Sequence, residues 1–167
     1  LAELASEAEE AGWDGFFVFD HILPTETGVA LHDPLVILAA VAMRTSRIRI
    51  GPMVTPIPRR RPWKLARETV SLDHLSGGRL TLSVGIGGPP GREFGSFGET
   101  VDTRVRGDKL DEGLQVLEGL WSGEPFSYQG EHYRLDDVVF APTPVQSPRI
   151  PIWIWAKWRN TQGSSQR

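Results

Sequence analysis

Two side chains suited to proton transfer, Asp20 and His21, stand together directly after the apolar run of residues 15–19. Histidine gains and loses a proton near neutral pH, and a carboxylate beside it fixes its tautomer or its charge. An unbroken apolar run is typical of a strand covered on both faces, and barrel enzymes built on such strands place their sites where the strands end. The pair is therefore a candidate for proton transfer, with a loop-capping aspartate beside a half-buried histidine as the alternative.

Two more predicted strands end in segments that suit a flat or phosphorylated ligand. Residues 51–56, Gly-Pro-Met-Val-Thr-Pro, favour an irregular backbone against a flat ligand, or else an ordinary turn. Residues 85–91, Gly-Ile-Gly-Gly-Pro-Pro-Gly, offer backbone N–H groups to a ring or a phosphate, or else form a tight turn. The dinucleotide fingerprint G-x-G-x-x-G does not fit, because Pro90 stands where its third glycine belongs.

Other polar and aromatic residues have simpler interpretations. The run Arg59-Arg60-Arg61 precedes a predicted helix and is typical of a solvated loop, with binding of a phosphate or an acidic partner as the alternative. Trp155 stands at the end of a predicted strand and is a candidate to line an aromatic-tolerant pocket. The sequence has no cysteine, no histidine pair at helical spacing and no HxH motif, so we predict no catalytic metal.

The elements that position these residues alternate along the chain between helices and apolar strands. Asp33-Pro34 is a typical helix start, with the aspartate as cap and the proline at the first helical position, and Gly77-Gly78 is a typical helix end. The first three strands begin about 32 residues apart, which is the length of a βα unit. The predicted helices cover residues 1–11, 35–44, 62–75 and 103–121, and the second of them is apolar nearly all round, which predicts that it is well buried. The predicted strands cover residues 15–19, 48–54, 79–85 and 150–155, residues 55–61 form a predicted loop, and residues 126–135 form a predicted hairpin that turns at Gln129-Gly130.

This alternation predicts an α/β fold whose parallel strands are buried on both faces. A doubly wound sheet and a (β/α)8 barrel both satisfy the pattern, and the regular units with polar residues at the strand ends favour the barrel. A barrel needs about 250 residues, whereas this chain supplies four such strands. We therefore predict one incomplete TIM-barrel domain over residues 1–167, without the strand that precedes the first helix and without the later strands.

Composition excludes several classes of function. The 167 residues carry 18 Lys and Arg against 21 Asp and Glu, so the net charge of −3 gives no support for nucleic-acid binding. No run of about 18 apolar residues is present to span a membrane. Residues 1–11 carry glutamates but no basic residue, unlike a signal peptide. We therefore predict a globular cytoplasmic protein that binds neither nucleic acid nor a membrane.

Longer phrases of the sequence carry a family resemblance. They are LAELASEAEEAGWDGFFVFDHI at the start, DHLSGGRL near the middle, and LWSG followed by GEHY and then PIWI towards the end. Taken together and in this order, they resemble the bacterial luciferase-like flavin-dependent oxidoreductases. The resemblance covers residues 1–156, and residues 157–167 form a divergent tail.

The resemblance implies a fold and a site. The fold would be strands 2–5 of a TIM-like barrel with their helices and a hairpin inserted before the fifth strand. FMN or coenzyme F-420 would lie across the strand ends, with NAD(P)H as a candidate reductant, and His21 would take part in proton transfer with Asp20 beside it. Two segments match cofactor-binding segments of the family. Met53, Val54 and Thr55 match the third-strand segment, which in the family often contains a non-prolyl cis peptide, and Gly85, Ile86 and Gly87 match the end of the fourth strand.

The activity that the resemblance implies is that of an oxidoreductase or monooxygenase on a small organic substrate, in a homodimer. Some relatives that use F-420 carry an acidic residue, and some that use FMN an arginine, just after the fourth-strand glycines. This chain has Gly88 and Pro89 there, and Glu93 is the nearest carboxylate, on a predicted loop, so the choice between FMN and F-420 stays open. The alternatives to an active enzyme are a catalytically inactive truncated fragment and a flavin-binding module that dimerises to complete a barrel.

Overall fold

Helices and strands alternate along the part of the chain that a computed structural model describes, residues 1–24, 30–88 and 90–155. The strands are β1 (Gly15–Val18), β2 (Arg49–Pro52), β3 (Thr55–Pro56), β4 (Leu82–Gly85), β5 (Phe126–Gln129), β6 (Arg134–Val138) and β7 (Ile152–Ile154). The α-helices are α1 (Ala2–Glu10), α2 (Pro34–Arg44), α3 (Pro62–Ser76), α4 (Pro90–Glu93) and α5 (Thr103–Trp121), and short 3-10 turns cover Ile57–Arg59 and Gly95–Phe97.

Parallel pairing joins the strands into one row. β1 pairs with β2, β3 pairs with β4, and β4 pairs with β7, all in parallel. A parallel bridge between Ile50 and Leu80 connects β2 to the chain just before β4. β2 and β3 occupy one place in the row and are separated by Met53 and Val54, whose peptide bond is cis. The row therefore reads β1, β2 with β3, β4 and β7, which confirms the predicted order of four parallel strands.

The helices cover one side of this row, each packed against the next. α1 packs on α2, α2 on α3, and α3 on α5. Along the chain, the antiparallel pair β5 and β6 follows α5 and precedes β7, as predicted for the inserted hairpin. The architecture is thus an α/β partial barrel, and the predicted fold class is confirmed.

Local sequence signals explain where α2 and α3 begin and end. The carboxylate of Asp33 accepts hydrogen bonds from the N–H groups of Leu35 and Val36 at 2.9 and 3.1 Å, so it caps α2 as predicted. Gly77 ends α3 with a φ of +64°, a left-handed conformation that glycine adopts without steric cost.

Three local predictions need correction. The α2 helix, apolar nearly all round, was expected to be well buried, yet Val36 and Met43 are exposed, because neighbouring helices cover only part of its surface. The segment from Thr55 was expected to be a loop, but Thr55 pairs with Val84 and so resumes the strand row. The hairpin turn was expected at Gln129-Gly130 and instead extends through residue 133, because the Glu112 carboxylate accepts hydrogen bonds from three N–H groups of the turn.

The row of strands is curved, and its concave side holds aromatic side chains. Neighbouring strands lie about 4.8 Å apart, so the first and fourth strands of a flat sheet would be about 14 Å apart. The rings of Phe17 on β1 and Trp153 on β7 nevertheless stack with their centroids 5.3 Å apart. The sheet must therefore curl as a barrel wall does. The core between strands and helices includes the fully buried side chains of Leu38, Val41, Ile50, Leu65, Val70, Leu82 and Ile150.

Two further predictions concern the extent of the chain and membranes. The predicted divergent tail, residues 157–167, lies outside the described residues. Within the described ranges, no helix combines the length and the apolar character that crossing a bilayer requires.

The carboxylate of Glu9 ties α1 to the turn that leads into β2. It accepts hydrogen bonds from the N–H groups of Arg47 and Ile48 at 2.6 and 2.7 Å, and from the N–H group of Ser46 at 3.0 Å. The bond from Ile48 contributes most to lowering the pKa of Glu9 to about 2, against the opposing effect of partial burial. The ionised carboxylate therefore stabilises the junction between α1 and β2.

We expect Glu9→Gln to lower the free energy of unfolding by about 1 kcal/mol at neutral pH, because an amide oxygen is a weaker acceptor than a carboxylate. The pKa of Glu9 is lowered from 4.5 to about 2 in the folded protein, so its contribution is complete above pH 4.5 and disappears as the pH falls towards 2. Denaturant titrations across this range should show the gap to wild type closing. The exposed neighbour Glu7 gives the control, Glu7→Gln, and a gap independent of pH would contradict the account.

Candidate active site

A cavity of about 380 Å³ lies at the carboxyl ends of the parallel strands, a size typical of small-molecule sites. It is lined from the ends of β1, β4 and β7, from the break between β2 and β3, and from α4. The lining residues are Phe19, Asp20, His21, Met53, Val54, Pro56, Gly85, Ile86, Gly87, Gly88, Glu93 and Trp155. The structure thus brings together all the site residues predicted from the sequence except Thr55.

Thr55 lies within the strand row and not in the wall of the cavity. Its backbone pairs with Val84, and its side chain is fully buried, with no hydrogen-bond partner for Oγ1 in the described part of the chain. Met53 and Val54, between β2 and β3, therefore line the cavity, and the chain returns to the strand row at Thr55.

The wall of the cavity consists largely of apolar side chains and, at one glycine, of the main chain alone. Met53, Val54 and Ile86 contribute apolar side chains, and the ring of Trp155 stands at the opening, mostly exposed. Gly87 has a φ of +89°, and a Cβ there would lie 2.6 Å from the ring of Phe94. Only glycine fits this position, so the backbone itself forms that part of the wall.

Asp20 is buried beneath the cavity and is held by two arginines. Its carboxylate accepts hydrogen bonds from Arg59 at 2.9 Å and from Arg60 at 2.7 Å, and its backbone carbonyl accepts another from Arg59 at 2.6 Å. Within the described residues the hydrogen bonds of this carboxylate go to Arg59 and Arg60, and the role of Asp20 beside His21 in proton transfer stays a prediction. The charge of Asp20 is engaged with guanidinium groups, and the residue anchors the end of β1.

Glu93 is the carboxylate that contacts His21. One of its oxygens lies 3.2 Å from Nδ1 of His21 and accepts hydrogen bonds from the N–H groups of Ile22 and Leu23 at 2.8 and 3.1 Å. The other accepts a hydrogen bond from Arg59 at 2.5 Å. Glu93 therefore joins α4 to the segment after β1 and to the 3-10 turn that follows β3.

The charge of Glu93 fixes the hydrogen-bonding state of His21. Burial by itself would raise the pKa of Glu93, but the N–H groups of Leu23 and Ile22 and the positive charge of Arg59 outweigh it and lower that pKa. At neutral pH the carboxylate is ionised and can only accept hydrogen bonds, so Nδ1 of His21 carries the hydrogen. Nε2 is left to exchange protons, and the ring is 39% exposed at the cavity.

Comparison with known proteins decides the family. A family model described as luciferase-like monooxygenase matches residues 1–158. The chain belongs to the luciferase-like monooxygenase family. The resemblance found in the sequence, which was placed over residues 1–156, is confirmed.

Proteins similar to this chain in sequence and structure are named for different activities. The F-420-dependent glucose-6-phosphate dehydrogenase of Kineococcus radiotolerans is 36% identical over 160 residues, which is 93% of this chain and 46% of that protein. A monooxygenase from Streptomyces bottropensis superposes with a TM-score of 0.81 at 32% identity, over 92% of this chain and 45% of its own. An F-420-dependent secondary alcohol dehydrogenase superposes with a TM-score of 0.82 at 27% identity, over 92% and 46% of the two chains. This chain thus spans less than half the length of these luciferase-like relatives.

Sequence reasoning gave no functional role to Arg59 and Glu93 in this luciferase-like chain. Arg59 was expected in a solvated loop, but its side chain is 3% exposed and lies between Asp20 and Glu93. The arginine is 39 residues from Asp20 and 34 from Glu93, so no local pattern could reveal the pairing. The available signal was weak: three arginines follow one strand end, and one carboxylate follows the next glycine-rich segment.

We expect Asp20→Asn to lower the free energy of unfolding by about 3 kcal/mol, because it removes the buried negative charge that pairs with the guanidinium groups of Arg59 and Arg60. The same change at the exposed Asp14, Asp14→Asn, serves as the control and should have little effect. Denaturant titration of both variants measures the difference. Equal stability of Asp20→Asn and wild type would show that the buried pair is not needed.

Proposed function

We propose that the protein is a flavin- or deazaflavin-dependent oxidoreductase acting on a small organic molecule, with the cofactor ring in the cavity at the strand ends. The observation that carries the proposal is that one cavity holds both an apolar wall and a histidine whose Nδ1 is fixed by a half-buried carboxylate, that of Glu93. Apolar walls with few well-placed polar groups are typical of cofactor sites. Strongly positioned acid–base groups in a cleft are typical of active sites.

The residues of the cavity fit a planar ring. Met53, Val54 and Ile86 offer apolar surface for a ring face, and at Gly87 and Gly88 the absence of side chains lets a ligand approach the backbone. The N–H groups of these two glycines meet no acceptor in the described part of the chain. They are therefore available to the carbonyl and nitrogen acceptors at the edge of such a ring.

When bound, a flavin or deazaflavin supplies hydride transfer, and a flavin also supplies the activation of dioxygen. His21 supplies the proton chemistry. With Nδ1 held by Glu93, an unprotonated Nε2 accepts a proton from a substrate hydroxyl, and a protonated Nε2 returns one. Arg59 keeps Glu93 ionised and in place, so the histidine does not turn away from the cavity.

Relatives support both cofactors. Several F-420-dependent glucose-6-phosphate dehydrogenases are 33 to 36% identical to this chain, and the monooxygenase from Streptomyces bottropensis is 32% identical. The oxygenating constituent of 3,6-diketocamphane monooxygenase from Pseudomonas putida, solved with FMN, shares the fold at 23% identity. FMN and F-420 are therefore both retained in the proposal, whereas NAD(P)H as reductant stays a prediction.

Titration of the full chain with F-420 and with FMN, followed by cofactor fluorescence, tests the proposal. We expect saturable binding of at least one. We also expect Gly88→Trp, which fills the cavity at a position with open space for a side chain, to abolish it. Gly107→Trp, at an equally open glycine on α5, should bind like wild type. Binding of neither cofactor, or binding that survives Gly88→Trp, would overturn the proposal.

With the bound cofactor and with 2-propanol or glucose 6-phosphate as probe substrates, His21→Ala should reduce turnover about 100-fold or more. Affinity for the cofactor should change much less, because the apolar wall remains. His74→Ala, at the opposite end of the strands where His74 bonds the Thr143 carbonyl, is the matched control. Cofactor binding with no turnover by the wild type would instead support the alternative, a flavin-binding module or an inactive fragment.

The expected homodimer, the small-molecule substrate and the cytoplasmic location belong to this proposal. Light scattering of the purified chain at several concentrations measures its oligomeric state and so tests the homodimer. A monomer at all concentrations would contradict it without affecting the assignment of the cavity.

A further inference from the structure

A buried arginine of α5 holds the turn that follows β4. Arg106 is 2% exposed, and its Nη1 donates hydrogen bonds to the carbonyl oxygens of Ile86 and Gly88, both at 3.2 Å. The guanidinium carbon lies 4.6 Å from the centre of the Phe94 ring. Arg106 does not line the cavity itself, so it reaches the turn from behind the wall.

The position of Arg106 is costly for the fold. It lies in the first turn of α5, where the helix dipole disfavours a cation. None of the ion pairs between described residues includes it, and its buried Nε has no hydrogen-bond partner there. An unpaired buried charge is strongly unfavourable. Departures of this kind from the rules of stable folding are expected where a site needs them.

The two hydrogen bonds fix the direction of a backbone donor. The peptide bond between Ile86 and Gly87 is trans, so its N–H and its C=O point in opposite directions. Because the Ile86 carbonyl points at Arg106, the N–H of Gly87 points away from α5, on the side where Gly87 lines the cavity. The second bond, to Gly88, holds the other end of the same short turn.

We propose that Arg106 is a positioning residue for the cofactor. It fixes the turn after β4 so that the N–H of Gly87, which meets no acceptor among the described residues, faces the ligand as a hydrogen-bond donor. This inference rests on the proposed function, which places a flavin or deazaflavin in the cavity. The buried positive charge of Arg106 also polarises the two peptide groups that this side chain contacts, and it favours electron-rich ligand atoms at the Gly87 N–H.

The test compares Arg106→Met, which keeps an unbranched apolar stem and loses the guanidinium group, with Arg104→Met, the same change at an exposed arginine of the same helix turn. In cofactor-free protein, NMR measures the carbonyl carbon shifts of Ile86 and Gly88 and the order of the Gly87 N–H vector. We expect Arg106→Met to lose the hydrogen-bonded carbonyl shifts and to make Gly87 more mobile. Arg104→Met should match wild type.

The second readout is binding. We expect Arg106→Met to weaken the affinity for the cofactor that binds wild type, F-420 or FMN, about tenfold or more. The shift of the Gly87 amide signal on saturation should be lost with it. If Arg106→Met does not fold, Arg106→Lys replaces it. The lysine nitrogen ends about one bond short of the position of Nη1, so it reaches the two carbonyl oxygens less well and the same changes should appear at smaller size.

Unchanged carbonyl shifts and Gly87 order in the cofactor-free variant would overturn the positioning role, whatever the cofactor does. Unchanged affinity together with an unchanged Gly87 shift would overturn its importance for binding. Failure of wild type to bind either cofactor is a different result: it refutes the proposed function, and with it the assignment of the cofactor as the ligand that Arg106 serves.

Discussion

The guanidinium group of Arg59 lies between the carboxylates of Asp20 and Glu93 in a space that solvent hardly reaches. A buried guanidinium costs several kcal/mol unless carboxylates pair with it, and each buried carboxylate needs a partner for the same reason. Each of the three charged groups is therefore stable in this space only because the other two are present. They come from the end of β1, from the turn after β3 and from α4, so their pairing fixes the relative positions of three loops at the strand ends.

The candidate active site depends on this pairing at each step. Glu93 is placed by Arg59 and by two backbone N–H groups, and it in turn fixes the ring of His21. On the other side of the cavity, Arg106 holds the glycine turn by its carbonyls. The groups proposed to meet the cofactor are thus held by arginines from elements that do not contact it. Hydrogen bonds from residues that do not contact the ligand keep a site in its productive geometry before the ligand binds.

Much of the fold could be predicted because its signals are local. Asp33 caps α2 and Gly77 ends α3 through contacts within a few residues, and unbroken apolar runs mark the parallel strands. The position of His21 at a strand end, and hence near the cavity, followed from the same pattern. The partners of the charged residues could not be predicted, since Arg59 and Glu93 meet Asp20 and His21 across 39 and 72 residues and only the folded strand row brings them together. The exposure of Val36 was missed because the pattern of one helix does not show where its neighbours lie.

A crystal structure of the chain soaked with F-420 or FMN is the most direct measurement of the central claim. The account predicts electron density for the tricyclic ring in the cavity, with one face on Met53 and Val54, its edge at the Gly87 N–H, and Nε2 of His21 directed towards the ring or the substrate space beside it. Density for the ring elsewhere, or a ring in the cavity with His21 turned away and Glu93 no longer bonded to it, would contradict the account.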